Sequence, residues 1–184
     1  MRFVLTLAIP LSSTLLIAQK NEPVYIYGTL HGESQSITGY FWFDNTLTQM
    51  GQHIWYKESL ESKKKKTLYA IKFPTFESDS IFLRKFRTIP AGTGRLDTML
   101  PRILKGKIEL HNAVYRGYYS FSQSDHFYIY TGSESVRLVR RKFKEQMTQL
   151  LADDADIVRR IENGKATYDD MPAIIHNYNI RHPL

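Results

Sequence analysis

Seven side chains that could bind a metal ion or exchange a proton are concentrated between Leu150 and Asn179. They are five aspartates, one glutamate and one histidine: Asp153, Asp154, Asp156, Asp169, Asp170, Glu162 and His176. An EF-hand calcium loop needs oxygen ligands at alternate positions, a glycine at the sixth position and a glutamate at the twelfth. In a loop beginning at Asp154, Val158 and Arg159 would occupy the fifth and sixth positions, so the spacing does not fit a calcium loop.

The same carboxylates are better explained as helix caps. Apolar residues recur at spacings of three and four in three windows, which predicts helices near residues 135–151, 154–163 and 169–179. Asp153 and Asp154 precede the second helix, and Asp169 precedes the third, where a carboxylate accepts hydrogen bonds from free backbone N–H groups. Asn163-Gly164 is typical of a helix end. We therefore expect neither a metal site nor a cofactor site in this segment.

The elements before these helices are predicted to be strands. From Glu22 to about Tyr130, apolar and polar residues alternate, and aromatic and β-branched residues are frequent. This pattern predicts about eight antiparallel strands with one face in the core. Since short helices are marginal alone, the three helices should pack on the sheet through their apolar faces. The predicted fold is α+β, a sandwich or partly closed barrel with a helical tail.

The first residues have the layout of a secretory signal peptide. Arg2 is followed by a mostly apolar run from Phe3 to Ala18, which is short for a membrane span of about 20 residues. We expect cleavage after Ala18, leaving one β-rich domain with its helical tail, residues 19–184. The predicted location is therefore the periplasm or the exterior.

Composition limits the remaining possibilities. The chain has no cysteine, which excludes disulfides, thiolate metal sites and a lipid anchor on cysteine. Removal of Arg2 with residues 1–18 would leave 24 Lys and Arg against 18 Asp and Glu, a net charge of +6. In an exported protein this charge suits an anionic glycan, a lipid headgroup or an acidic envelope protein better than nucleic acid.

Two groups of cations could form an anion-binding surface. Arg137, Arg140, Arg141 and Lys144 lie mainly off the apolar stripe of the first predicted helix and could dock on anionic lipid, although a solvated face is the commoner explanation. Lys63 to Lys66 lie between two predicted strands. We interpret these lysines as a solvated hairpin end that discourages edge pairing, with a polyanion-binding patch as the alternative.

No catalytic motif is recognisable. The six histidines show no HExxH spacing, and the chain has no GxSxG sequence. Whether the protein is an enzyme stays open, with a non-enzyme favoured. A small-ligand carrier or weak hydrolase would need an aromatic-lined pocket in the sheet, for which Trp42, Trp55 and Tyr119 are candidates, although dense aromatic residues are usually core.

The C-terminal half resembles uncharacterised exported proteins of Bacteroidetes-type Gram-negative bacteria. The resemblance covers roughly residues 100–180: a strand with Gly-x-Ile-x-Leu, an aromatic strand, a helix with a central Phe, an acidic step and a final Tyr-Asn. The residues that carry it are Gly106, Ile108, Leu110, Tyr128, Tyr130, Phe143, Asp153, Asp154, Ile161, Tyr168, Tyr178 and Asn179. It implies an envelope or secreted location and carries no activity. The function expected from the sequence is an exported, non-catalytic binding or structural module.

Overall fold

The computed structural model describes residues 23–48, 51–88, 96–116 and 123–184, so the predicted signal peptide lies outside the described residues. The described chain forms an α+β fold with ten strands. Their bounds are β1 Ile26–His31, β2 Ser36–Thr48, β3 Gly51–Lys57, β4 Lys66–Tyr69, β5 Thr75–Glu77, β6 Phe82–Thr88, β7 Leu96–Leu104, β8 Glu109–Arg116, β9 Gln123–Tyr130 and β10 Ser135–Arg137.

All strand pairs are antiparallel and belong to one sheet, in the order β10-β9-β8-β7-β6-β5-β1-β2-β3-β4. Strands that follow one another in the chain are neighbours in the sheet, except at β5. After β4 the chain returns to the other side of β1, where β5 pairs with β1. The sheet curls into a half-barrel. The side chain of Gln52 on β3 accepts a hydrogen bond of 2.9 Å from the backbone N–H of Met99 on β7, which links two strands that are not neighbours in the sheet.

The sequence predicted fewer strands than the structure contains. The three-residue strands β5 and β10 are too short to show an alternating pattern. Leu96–Leu100 begin β7 and pair with β6. A turn between Leu104 and Glu109 separates β7 from β8.

The concave side of the first strands is filled by apolar side chains. We call this group the barrel core: Leu30, Phe41, Ile54, Tyr56, Ala70, Phe73, Phe76, Leu83 and Met99. Phe76 packs against Phe41 with ring centroids 5.3 Å apart, in an edge-to-face contact. Because successive side chains along a strand point to opposite faces, the residues next to these in the sequence lie on the outer face.

Three helices follow the sheet: α1 Phe143–Leu150, α2 Ala155–Glu162 and α3 Met171–Arg181. Short 3₁₀ turns at Arg140–Lys142 and Tyr168–Asp170 precede α1 and α3. The helices cover β8 and β9, as the apolar stripes predicted. Their shared core consists of Ile108, Leu110, Phe127, Ile129, Leu138, Phe143, Met147, Leu151, Ile157, Ile161, Ala166, Tyr168, Met171, Ile174, Ile175 and Tyr178. Each Phe, Leu, Ile or Met side chain of this core contributes roughly 1.5–3 kcal/mol when fully buried, which keeps the short helices in place.

The first helix begins later than the sequence predicted. Residues 135–137 pair with β9 as strand β10, and the backbone reaches α-helical geometry only at Phe143. The apolar spacing misled the prediction because Val136 and Val139 continue the helical period into the strand. The second and third helices lie close to their predicted bounds.

Of the three carboxylates predicted as caps, Asp153, Asp154 and Asp169, only Asp154 caps a helix. Asp154 accepts a hydrogen bond of 3.1 Å from the backbone N–H of Ile157 and caps α2. Gly164, with φ of +69°, follows the end of that helix. The predicted cap at Asp169 is wrong: Thr167 and Asp170 form a capping box at this point, and Asp169 instead binds Arg140. Within the described residues, no helix has the length and apolar content needed to span a membrane.

Candidate functional site

The connection between β3 and β4, residues 58–65, folds into a cleft instead of an open turn. The cleft has a volume of about 300 Å³. We call it the lysine cleft, and its lining residues are Tyr56, Lys57, Glu58, Ser62, Lys63, Lys64 and Lys66. The ring of Tyr56 also belongs to the barrel core, so one wall of the cleft is anchored in the folded interior.

Local hydrogen bonds fix the shape of the connection. The backbone N–H of Ser62 donates to the carbonyl of Ser59 at 3.2 Å, and the two serine hydroxyls lie 3.2 Å apart. The ammonium group of Lys57 donates to the carbonyl of Leu60 at 3.3 Å. These contacts close a turn at Ser59–Ser62 and hold Lys57 across it.

The cations of the cleft differ in how far they are neutralised. Lys66 forms a salt bridge of 3.0 Å with Glu58, and this hydrogen bond raises the pKa of Lys66. The pKa of Glu61 is lowered by a backbone hydrogen bond and a hydrogen bond with Ser59. Lys63 and Lys64 are exposed, and among the described residues neither has a hydrogen-bond or salt-bridge partner. The cleft therefore presents two cations whose charge the surrounding protein does not compensate.

Aromatic side chains form a row on the outer face beside the cleft. The Trp42 and Trp55 rings lie 6.3 Å apart at 15°, and Tyr25 lies 6.5 Å from Trp42. The ammonium group of Lys65 lies 3.9 Å from the centre of the Trp55 ring. The indole N–H of Trp55 donates to Asp44 at 3.4 Å. The cation–π contact between Lys65 and Trp55 links this row to the β3–β4 connection.

The location of the tryptophans differs from the arrangement that an internal pocket would need. Trp42 alternates with Phe41 and Phe43, and Trp55 alternates with Ile54 and Tyr56, all of which point into or pack on the barrel core. The tryptophans are consequently on the outer face. The third candidate, Tyr119, lies outside the described residues.

A second charged group lies on the face of β6–β8 opposite the helices. The Glu109 carboxylate accepts hydrogen bonds from Arg84 at 3.0 Å and Arg102 at 2.9 Å, and it lies 3.2 Å from Nε2 of the fully buried His111. Burial acts to raise the pKa of Glu109, but the hydrogen bonds from His111, Arg102 and Arg84 outweigh it and lower the pKa to about 2. Such a carboxylate stays ionised near neutral pH and stabilises the fold instead of exchanging protons.

The four cations predicted as an anion-binding surface are distributed over several contacts. Arg137 lies on β10, with Nη2 3.4 Å from Nδ1 of His126. Arg140 forms a two-pronged salt bridge with Asp169, at 2.7 and 2.5 Å. Lys144 donates to the carbonyl of Glu162 at 3.0 Å, while Arg141 is exposed. Three of the four are thus engaged within the protein, and an anion-binding role for this group stays a prediction.

The remaining carboxylates tie the tail to the sheet. Asp153 accepts hydrogen bonds from Lys107 at 2.9 Å and from the hydroxyl of Tyr178, and these bonds lower the pKa of Asp153. Burial acts to raise the pKa of Asp154, but the bonds from Ile157 and His182 lower it. His176 is exposed. Over residues 23–48, 51–88, 96–116 and 123–184, no three His, Asp or Glu side chains are grouped to hold a metal ion.

Sequence reasoning recognised the lysine run but not the cleft. The strand pattern predicted that Lys63–Lys66 lie between two strands, and the structure places the connection at residues 58–65, with Lys66 already in β4. The wall formed by Tyr56 and Lys57 could not be predicted, because it depends on how the connection folds back over the end of β3. Five lysines within ten residues were the available signal.

Comparisons with known proteins give no further identification, since no family model, no curated protein and no solved structure matches the chain.

Proposed function

We propose that this protein is an exported, non-catalytic binding module and that it binds anionic groups in the lysine cleft. The observation that carries the proposal is the pair Lys63 and Lys64, two exposed cations without a described partner, on the wall of a cleft of about 300 Å³. A lysine ammonium is a compact point charge with three donors, which suits phosphate, sulfate and carboxylate oxygens.

The charge around the cleft favours an anion over other ligands. Residues 57–66 contain five lysines against two glutamates. Glu58 is paired with Lys66, and Glu61 is hydrogen-bonded within the connection. Among the described residues, neither glutamate forms a salt bridge with Lys63 or Lys64. A local excess of one sign raises the concentration of oppositely charged ligands at a surface and increases their association rate.

Export is the part of the proposal that rests on the sequence. Residues 1–18 have the layout of a signal peptide, and the resemblance of residues 100–180 to exported bacterial proteins points to the same compartment. Anionic glycans and lipid headgroups are both available in a bacterial envelope. The charge of the cleft suits either.

The alternative, a carrier or weak hydrolase with a pocket inside the sheet, has less support from the geometry. The concave side is occupied by the barrel core, in which Leu30, Phe41, Ile54, Ala70 and Phe76 are fully buried. The tryptophans that would line such a pocket lie on the outer face. The described residues therefore favour a ligand bound from outside.

Calorimetric titration with two polymers of equal length tests the proposal. Dextran sulfate should bind and unsulfated dextran should not, and the affinity should fall as salt is added. Replacing Lys63 and Lys64 together by alanine should raise the dissociation constant roughly tenfold. The control is the double variant Arg141→Ala with Lys142→Ala, which removes the same charge from an exposed site and should change affinity by no more than about twofold. Equal losses in the two double variants would show that binding follows net charge alone and would contradict the proposal.

A further inference from the structure

The β3–β4 connection, which carries the lysine cleft, also has an exposed apolar side chain at its turn. Leu60 lies inside the turn that Ser59 and Ser62 close, and 51 % of it is exposed. Its carbonyl accepts a hydrogen bond of 3.3 Å from the ammonium group of Lys57. About half of this leucine is available for contact with an apolar phase while the turn stays closed.

Lysines flank this leucine in the sequence. Lys57 precedes it and Lys63, Lys64 and Lys65 follow it within five residues. Lysines close to an anionic membrane surface are each attracted to it, and burial of an apolar side chain in the bilayer adds to this attraction. The connection therefore combines electrostatic attraction with an apolar side chain that can be buried.

Tyrosine and tryptophan side chains lie on the same outer face as Lys57. Tyr27 and Tyr40 occupy the row of the sheet that ends at Lys57, and Tyr27 is 59 % exposed. Trp42 and Trp55 occupy the next row, about 7 Å further from the connection at the usual rise per strand residue. Such amphipathic rings are enriched where a protein meets the headgroup layer of a bilayer.

The same geometry disfavours a ligand that stacks on the rings. Trp55 has Trp42 nearly parallel to it on the β2 side and Lys65 over its ring on the β4 side. A sugar or a nucleic-acid base would need a free ring face in this row. An anionic headgroup would bind to the lysines, and the acyl chains below it would contact Leu60, so neither part of a lipid requires a free ring face.

From these observations we infer that the occupant of the lysine cleft is an anionic lipid headgroup and that Leu60 enters the bilayer beside it. This inference rests on the proposed function, because it names the source of the anion bound in the cleft. The protein would then lie on the membrane surface, with the β3–β4 connection directed toward the lipid and the helices on the other part of the sheet remaining in water.

Sedimentation with vesicles tests the inference. The protein should bind vesicles of phosphatidylcholine and phosphatidylglycerol mixed at roughly two to one, and should not bind phosphatidylcholine alone. Leu60→Ser should weaken vesicle binding roughly tenfold and leave dextran sulfate binding unchanged. Ile103→Ser is the matched control, since Ile103 is also an exposed apolar side chain but lies on β7. It should bind vesicles like the wild type.

The possible outcomes separate the two proposals. Binding to dextran sulfate or to a single-stranded oligonucleotide without binding to mixed vesicles overturns the lipid inference and leaves an anion-binding cleft. Vesicle binding that Leu60→Ser does not weaken also overturns the insertion of this leucine. If neither vesicles nor dextran sulfate bind, the proposed function and the inference fall together.

Discussion

The side-chain amide of Asn179 forms both main-chain hydrogen bonds of Ile108. The backbone N–H of Ile108 donates to Oδ1 of Asn179 at 2.9 Å, and Nδ2 of Asn179 donates to the carbonyl of Ile108 at 2.8 Å. Ile108 lies in the turn between β7 and β8, where no neighbouring strand could supply these bonds. One residue of the last helix thus completes the hydrogen bonding of the sheet.

Replacing Asn179 with alanine should destabilise the protein by about 2–4 kcal/mol, because Ile108 is buried and both of its backbone groups would lose their partners. The free energy of unfolding in urea measures this loss. Asn177→Ala on the exposed side of the same helix is the control and should change stability by less than about 0.5 kcal/mol. Equal effects of the two variants would show that the paired hydrogen bonds contribute nothing specific.

Gly106 should be sensitive to substitution only while Asn179 is present. A Cβ atom at position 106 would collide with the side-chain amide of Asn179, which its two hydrogen bonds hold in place. We expect Gly106→Ala to cost about 1–3 kcal/mol in the wild type and clearly less in the Asn179→Ala background. A double-mutant cycle in urea measures the coupling. Additive effects would indicate that the cost at position 106 is a backbone effect unrelated to Asn179.

The start of the third helix offers a test of which residue caps it. Thr167→Ala removes the hydroxyl of the capping box and should lower the free energy of unfolding by about 1 kcal/mol. Asp169→Ala removes only an exposed salt bridge with Arg140, and its effect should be the smaller of the two. Thermal unfolding of the two variants side by side makes the comparison. A larger loss for Asp169→Ala would restore the prediction made from the sequence.

The charged group around Glu109 should make stability depend on pH. The pKa of Glu109 is lowered from 4.5 to about 2 in the folded protein. A lowered carboxyl pKa stabilises the fold above the unfolded value, so this contribution is present above 4.5 and is lost as the pH falls toward about 2. We expect the loss to be at most about 3 kcal/mol.

Urea unfolding between about pH 6 and about pH 2 isolates this contribution when Glu109→Gln is compared with the wild type. The variant should be less stable near neutral pH and should show a flatter profile over the acid range. Glu162→Gln, an exposed glutamate on α2, is the control and should follow the wild-type profile. Parallel profiles for Glu109→Gln and the wild type would contradict the assignment of the lowered pKa to Glu109.

Local patterns predicted those parts of the fold in which neighbouring residues decide the structure. The aromatic residues Tyr40, Phe41 and Trp42 correctly predicted a strand, and the apolar stripe from Ile157 to Ile161 correctly predicted a packed helix. Ser135–Arg137 was predicted as helix but forms β10. Its structure is decided by pairing with Tyr128–Tyr130 of β9 across a turn. Short-range spacing carries no signal for such pairing.

The candidate site shows the same limit. The run Lys63–Lys66 was visible, but four adjacent lysines fit a solvated turn as well as a binding patch. Only the folded connection shows that Lys66 is neutralised by Glu58 while Lys63 and Lys64 are left without a described partner. Likewise, the bond between Asn179 and Ile108 joins residues 71 positions apart, which no local pattern encodes.

The most direct test of the account is an NMR titration that locates the bound anion on ¹⁵N-labelled protein. Addition of dextran sulfate should shift the backbone amides of residues 57–66 and the indole N–H of Trp55, because Lys65 lies over that ring. Amides of residues 137–144 should shift little, since Arg140 and Lys144 are already engaged within the protein. Shifts confined to residues 137–144, or spread evenly over all exposed cations, would contradict an anion site in the lysine cleft.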